Sequence, residues 1–276
     1  MVKALSFFFL CTATLACAQI TVDSLVSQQT SKILQDEFAK STDYPIFEII
    51  GDETPVLNIS AAHEKTESFH RFYFELNDRN SAIQNEQDVR TIAAQDIKRI
   101  FPKKIADSLM MARIGLEYES RNGEIRIVGA LAMLHRLIDG YPERGESYIF
   151  MYYDSSSNLK NIEIKWNSYK KDSITDNQSR LQKIESQSNV LSQKISELGE
   201  SLKRENIQGR LYRVIRSWHL KKDDKGSKYL VPSITYLGTY VENKTKRYLS
   251  FDIDIYNPEK TNLTHTEICS SKGAQK

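Results

Sequence analysis

Asn122-Gly123 lies between two long runs rich in apolar residues, Met111 to Glu119 and Glu124 to Leu137, and it restricts the fold more than any other short feature of the chain. An Asn-Gly pair supplies two consecutive residues that tolerate positive φ, which a two-residue hairpin turn requires. The two runs are therefore expected to be antiparallel strands. Asp139-Gly140 turns the chain again, and Asp154 to Asn158 separates two further strand-like runs, Ser147 to Tyr153 and Leu159 to Trp166. Towards the C-terminus, Arg210 to Leu220, Tyr229 to Val241 and Lys246 to Tyr256 read the same way, with a charged loop from Lys221 to Lys228. Nearer the start, Phe69 to Leu76 alternates and places His70, Phe72, Phe74 and Leu76 on one face. Ile46 to Ile50 and Pro55 to Ile59 read as short strands joined by a turn at Gly51-Asp52-Glu53.

Helical periodicity is confined to three places. Val22, Leu25, Val26, Ile33, Leu34 and Phe38 make a moderate stripe over 22–39. Val89, Ile92, Ala93, Ile97, Ile100 and Phe101 form a second, ended by Pro102, with Ser81-x-x-Gln84 or Asn85 as its cap. Pro102 to Leu109 adds a short helical turn. The third is the strongest. From Leu181 through Ile184, Ser188, Leu191, Ile195 and Leu198 to Leu202 the spacing alternates between three and four, a heptad seam within 178–205 with one polar slot. It is expected to pack on its own sheet.

The expected class is α+β: antiparallel sheets each covered by a helix. The order helix then strands occurs twice, from about residue 85 and from about 178, which suggests two structurally similar helix-on-sheet units. The expected segments are a signal peptide at 1–18, a helix with short strands at 19–80, helix-plus-sheet units at 81–170 and 171–258, and a loose tail at 259–276.

The first eighteen residues differ from the rest. Lys3 precedes an apolar run from Ala4 to Cys11, and Ala16-Cys17-Ala18 supplies small residues before Gln19. This is the plan of a secretory signal. Ala16-x-Ala18 suits a general signal peptidase, whereas Leu15-Ala16-Cys17 resembles a lipobox in which Cys17 would carry a lipid anchor. No later run has the length of a membrane helix. The expected location is secreted or periplasmic, with a lipid-anchored envelope protein as the alternative. Losing 1–18 removes Lys3 and changes the charge balance from 38 − 36 = +2 to 37 − 36 = +1. A balance so near zero offers no field to recruit nucleic acid. One cysteine, Cys269, would remain, so the fold is expected to rest on its core and not on a disulfide. With 276 residues and 40% hydrophobic content, such a core is within reach.

Ile125-Arg126-Ile127-Val128-Gly129 leads into Leu134-His135-Arg136-Leu137-Ile138-Asp139-Gly140-Tyr141-Pro142; Gly145, the strand from Ser147, the turn from Asp154 to Asn158 and the strand ending at Trp166 follow. This stretch resembles the PepSY and thermolysin-propeptide (FTP) group of domains. The resemblance implies a helix packed on an antiparallel sheet and a non-catalytic role, such as restraining a peptidase. Glu143 departs from the pattern, which has an aliphatic residue there, and Asn158 stands where the second turn usually has Gly.

Reactive residue patterns are few. His63, Glu67 and His70 at i, i+4, i+7 could share one helical face and hold zinc, but Glu67 stands where His-Glu-x-x-His needs its second His, and the alternation from Phe69 draws His70 onto a strand. Asp252 and Asp254 project from one side of a strand, as an acid/base pair or as the wet face of an edge. His135-Arg136 and Arg210, Arg213, Arg216, Trp218 and His219 mix basic and aromatic residues, and read as solvated strand faces. Tyr229, Tyr236, Tyr240, Tyr248 and Tyr256 could form a binding face or fill a half-exposed sheet. No Gly-x-Ser-x-Gly, Walker, dinucleotide or Cys-x-x-Cys motif occurs. These observations lead to the expectation of an exported, non-enzymatic module without a cofactor that binds a protein or peptide. Its rivals are a hydrolase built on Asp252/Asp254 or the His63 cluster, and a structural envelope lipoprotein.

Overall fold

The computed structural model describes residues 21–22, 24–40, 44–67, 69–174, 208–242 and 245–255, with the isolated positions 193, 196 and 197. The expected signal segment with Cys17, the heptad stretch apart from those three positions, Tyr256 and the expected tail with Cys269 lie outside the described residues.

In chain order the elements are β1 (Thr21–Val22), α1 (Ser24–Lys40), β2 (Tyr44–Asp52), β3 (Ala62–Lys65), β4 (His70–Tyr73), α2 (Glu86–Ile100), α3 (Lys103–Ala106), β5 (Leu109–Arg121), β6 (Glu124–Ile138), β7 (Tyr141–Arg144), β8 (Tyr148–Asp154), β9 (Leu159–Lys165), β10 (Asn167–Ile174), β11 (Gln208–Lys222), β12 (Lys228–Glu242) and β13 (Thr245–Asp254). The strands do not form separate helix-covered sheets. They join into one 13-stranded sheet ordered β10-β2-β12-β11-β7-β6-β8-β9-β4-β3, with β1 on β11, β13 on β12 and β5 on β6. The sheet is mixed, since β1 and β7 both run parallel to β11. The expected α+β pair of units is thereby corrected.

Two segments produce the fusion. Residues 141–144, a turn by composition, form a short strand that pairs with β6 at Leu137↔Pro142 and with β11 at Trp218↔Glu143. Residues 44–52 form one strand that runs through Gly51 and Asp52 without turning and pairs with both β10 and β12. The expected strand at 55–59 is absent.

Local chemistry explains the elements that match expectation. α2 is capped by Asn85, whose side chain accepts from the Gln87 and Asp88 N–H groups while Asp88 accepts from the Asn85 N–H. The Asn122 and Gly123 φ angles of 54° and 81° fit the β5–β6 turn, and Asp139 and Gly140, at 49° and 82°, make the β6–β7 turn. At the β8–β9 turn the left-handed residue is Ser157, at 69°, and not Asn158.

Three cores result. α2 covers one, with Val89, Ala93 and Ile100 against Ala132, Leu134 and Ile162. α1 covers a second, with Val26 and Leu34 against Val214, Ile234 and Ile253. Between them Phe47, Ile138, Trp218 and Leu230 form a small junction, where the Trp218 indole N–H donates to the Ile138 carbonyl at 2.8 Å.

Candidate functional site

The β5–β6 hairpin outruns its neighbours. β8 pairs with β6 only over Gly129–His135, so residues 118–128 project as a two-stranded ribbon. A bulge within it decides what it presents. Glu117 faces Gly129 but Tyr118 faces Ile127, leaving Val128 as the extra residue. Were Val128 part of an unbroken pleat, Arg126 and Glu124 would fall on the face of Ala130 and Ala132; the bulge shifts the alternation and places Ile127 and Ile125 there. Leu116 and Ile127 are partly buried against the α2 core. Beyond them Tyr118 (54% exposed) and Ile125 (73%) are open to solvent, and Val128, at the bulge itself, is 42% exposed. The apolar face of the core thus runs on along the ribbon past the helix that covers it. Among the described residues, β5 is hydrogen-bonded only to β6. Sequence reading recognised the hairpin but not this strip; the signal was Ile125 and Ile127, one position out of step with Ala130 and Ala132, which strict alternation does not allow on one face.

The carboxylates of β13 lie on the face opposite Phe251 and Ile253, as the alternation required, but that face is not wet. Asp254 is only 2% exposed. Asp252 contacts Arg144 Nε at 3.3 Å and His219 Nδ1 at 3.4 Å and accepts from the Thr235 hydroxyl, while Lys221 Nζ donates to Asp254 at 2.6 Å. Arg144 reaches this place because β7 runs beside β11, with His219 opposite it in register. Burial alone would raise the Asp252 carboxyl, but His219, Arg144 and Thr235 outweigh it and hold it below the ordinary carboxylate value. The two acids have different cationic partners and do not form an acid/base pair. His135 also faces this cluster. Burial first and Arg144 second push its imidazole down to about 4, against a smaller pull from Asp252.

His63 and His70 meet across a hairpin and not along a helix. β3 and β4 pair Lys65 with His70 and His63 with Phe72. His63 Nε2 lies 3.1 Å from His70 Nδ1, and the rings stack 5.3 Å apart. His70 Nε2 is 3.1 Å from Asp52 Oδ2. Each of these imidazole nitrogens has a partner in this chain of contacts, and Glu67, exposed in the turn, is not part of it. Among the described residues no group of three or more His, Cys, Asp and Glu is arranged to hold a metal ion.

The basic and aromatic residues separate. Arg216 is buried, pairs with Glu37 at 2.7 Å, and stacks over Trp218 and Tyr141 with its guanidinium carbon 4.1 and 4.5 Å from the ring centroids. Arg136 lies over Trp166 at 4.3 Å. Trp218, Tyr236 and Tyr240 are buried. Tyr229 donates to Asp223 in the β11–β12 loop. Trp218, Tyr236 and Tyr240 are core and no binding face; the Tyr248 side chain lies outside the described residues.

Glu143, the departure from the PepSY-like pattern, is fully buried at the junction. Its carboxylate accepts from the Ser147 N–H at 3.0 Å and from the Tyr169 hydroxyl. Burial pushes its pKa up, against those hydrogen bonds and the field of Arg136.

No family model matches the chain, and no curated protein does. Among solved structures, an uncharacterized protein from Eubacterium rectale ATCC 33656 is similar at a TM-score of 0.42 and 8% identity, over 86% of this chain and 82% of that one; a likeness at this level says nothing further about either. No helix among the described residues is long and apolar enough to cross a membrane.

Proposed function

We propose that this chain is an exported, non-catalytic module that binds a protein or peptide on the face of the β5–β6 ribbon. The observation that carries the reading is the strip in which Tyr118 and Ile125 continue the face of Leu116 and Ile127, apolar side chains held in water on a hairpin beyond the sheet. Contiguous exposed apolar surface of this kind marks interaction sites, and rigid aromatic and aliphatic anchors dominate binding energy. Support also comes from the reactive groups: Asp252, Asp254, His63 and His70 each have a partner within the chain. The PepSY-like turns and the N-terminal signal motivate a peptidase in the envelope or outside the cell as the partner.

The test is a panel of peptidases of each class, assayed with the chain beginning at Gln19 and with an Ile125→Ser/Val128→Ser variant. Inhibition by the first, weakened at least about tenfold in the second at unchanged melting temperature, is the expected result. Lack of inhibition throughout, or equal inhibition by both proteins, overturns the reading.

A further inference from the structure

We infer that the outer edge of β5 is a homodimer interface, along which two copies of this chain pair antiparallel about a two-fold axis at Leu116. This goes beyond the proposed function, which concerns the ribbon's face and not its edge.

β5 is long for an edge strand, at 13 residues, and edge strands of that length are templates for another strand unless something blocks them. Its one bulge leaves Ala112 as the extra residue, so the segment from Arg113 to Arg121 is regular. A two-fold axis normal to the sheet keeps each face on its own side, so opposed residues must have the same parity. Centring on Glu117 uses the whole regular segment, but it sets Arg113 against Arg121 twice and Glu117 against itself. Like charges directly opposite destabilise a sheet. Centring on Leu116 or on Gly115 removes every such clash, and Leu116 pairs more of the regular segment, Arg113 to Glu119. Arg113 then faces Glu119 twice and Gly115 faces Glu117. On the core side Ile114 faces Tyr118 twice, and Leu116 faces its own copy. Arg113 already interacts within its own chain; the register asks only that an acid, and not a base, stand across from it. Among the described residues no strand occupies this edge. The same contact would give Tyr118, half-exposed in one chain, an aliphatic neighbour in the next.

The residue on the axis provides the test. In a Cys269→Ser background of the chain beginning at Gln19, Leu116→Cys places two β-carbons directly opposite, about 4.5–5.5 Å apart, which a small strand shift brings to the roughly 4 Å of a disulfide. Ser120→Cys places them eight residues apart along the strand, roughly 27 Å. Mild oxidation should link the first and not the second. In sedimentation equilibrium Glu119→Arg and Arg113→Glu should each weaken self-association at least about tenfold, and the double exchange should restore it. A monomer at every concentration, equal linking at 116 and 120, or a double exchange as weak as the single ones overturns the proposal. The peptidase assay uses Ile125 and Val128, which lie off this edge, so either idea can fail without the other.

Discussion

Three titratable side chains, Asp96, His135 and Glu143, show how single residues set the limits of this fold. Asp96 is completely buried on α2 and takes both Arg79 guanidinium nitrogens at 2.8 Å, with an Arg99 nitrogen at 3.0 Å. Arg79 also touches the β8–β9 turn through the Asn158 side chain and the Ser157 carbonyl. Asp96→Asn leaves two guanidinium groups facing a neutral amide, so a loss of about 3–5 kcal/mol in denaturant unfolding is expected. His135 acts through pH. Its folded pKa of about 4 lies below the ordinary 6.5, so over that interval the unfolded chain binds a proton that the folded chain refuses. Stability is therefore complete above pH 6.5 and falls as the pH drops towards 4, by up to about 3 kcal/mol. His135→Gln should flatten this limb of a stability–pH curve. Glu143 works the other way: its raised pKa makes stability decline as the pH rises above the ordinary carboxyl value, and Glu143→Gln should remove that decline.

Among the elements, the ribbon and the β11–β12 pair lend themselves to separate measurements. A Cβ added to Gly123 would meet nothing within 4 Å, so Gly123→Ala pays only for its φ of +81°, about 1 kcal/mol. Because the ribbon projects beyond β8, that loss should appear as faster hydrogen exchange of residues 118–128 with little change in melting temperature. Gly238 is the opposite case. It sits opposite the β11 bulge, where a Cβ would lie 2.5 Å from the Arg210 carbonyl oxygen, so Gly238→Ala should lower global stability by about 3 kcal/mol or more. Elements specified by local chemistry were legible in the sequence: α2 through its cap and stripe, β5–β6 through Asn122-Gly123, and β11 to β13 through alternation. β7 was not, because Tyr141-Pro142-Glu143-Arg144 has no strand pattern and its partner Trp218 lies far along the chain. β10 was not, because Asn167–Ile174 is a polar edge strand whose only apolar guide is its neighbour β2. The two-sided burial of Asp252 follows from β7, so its partners could not be read locally.

Over the whole molecule, Phe47, Ile138, Trp218 and Leu230 and the buried Glu143 network form the junction between the α1 and α2 cores. Phe47 packs edge-on to Trp218 at 4.8 Å, and the indole N–H is bonded to β6. Trp218→Ala removes that packing and the hydrogen bond together, an expected loss of about 3–5 kcal/mol. If the junction couples the two cores, calorimetry of this variant should resolve two melting transitions where the parent shows one. The parallel seam between β7 and β11 closes late, since Glu143 and Trp218 meet only after β11 has been made. A ribosome releasing this polypeptide must therefore leave the flank of β7 bare until the last third emerges. A fragment ended near residue 174 would keep that flank uncovered and, with β2 robbed of β12, should clump where the full-length product stays dispersed.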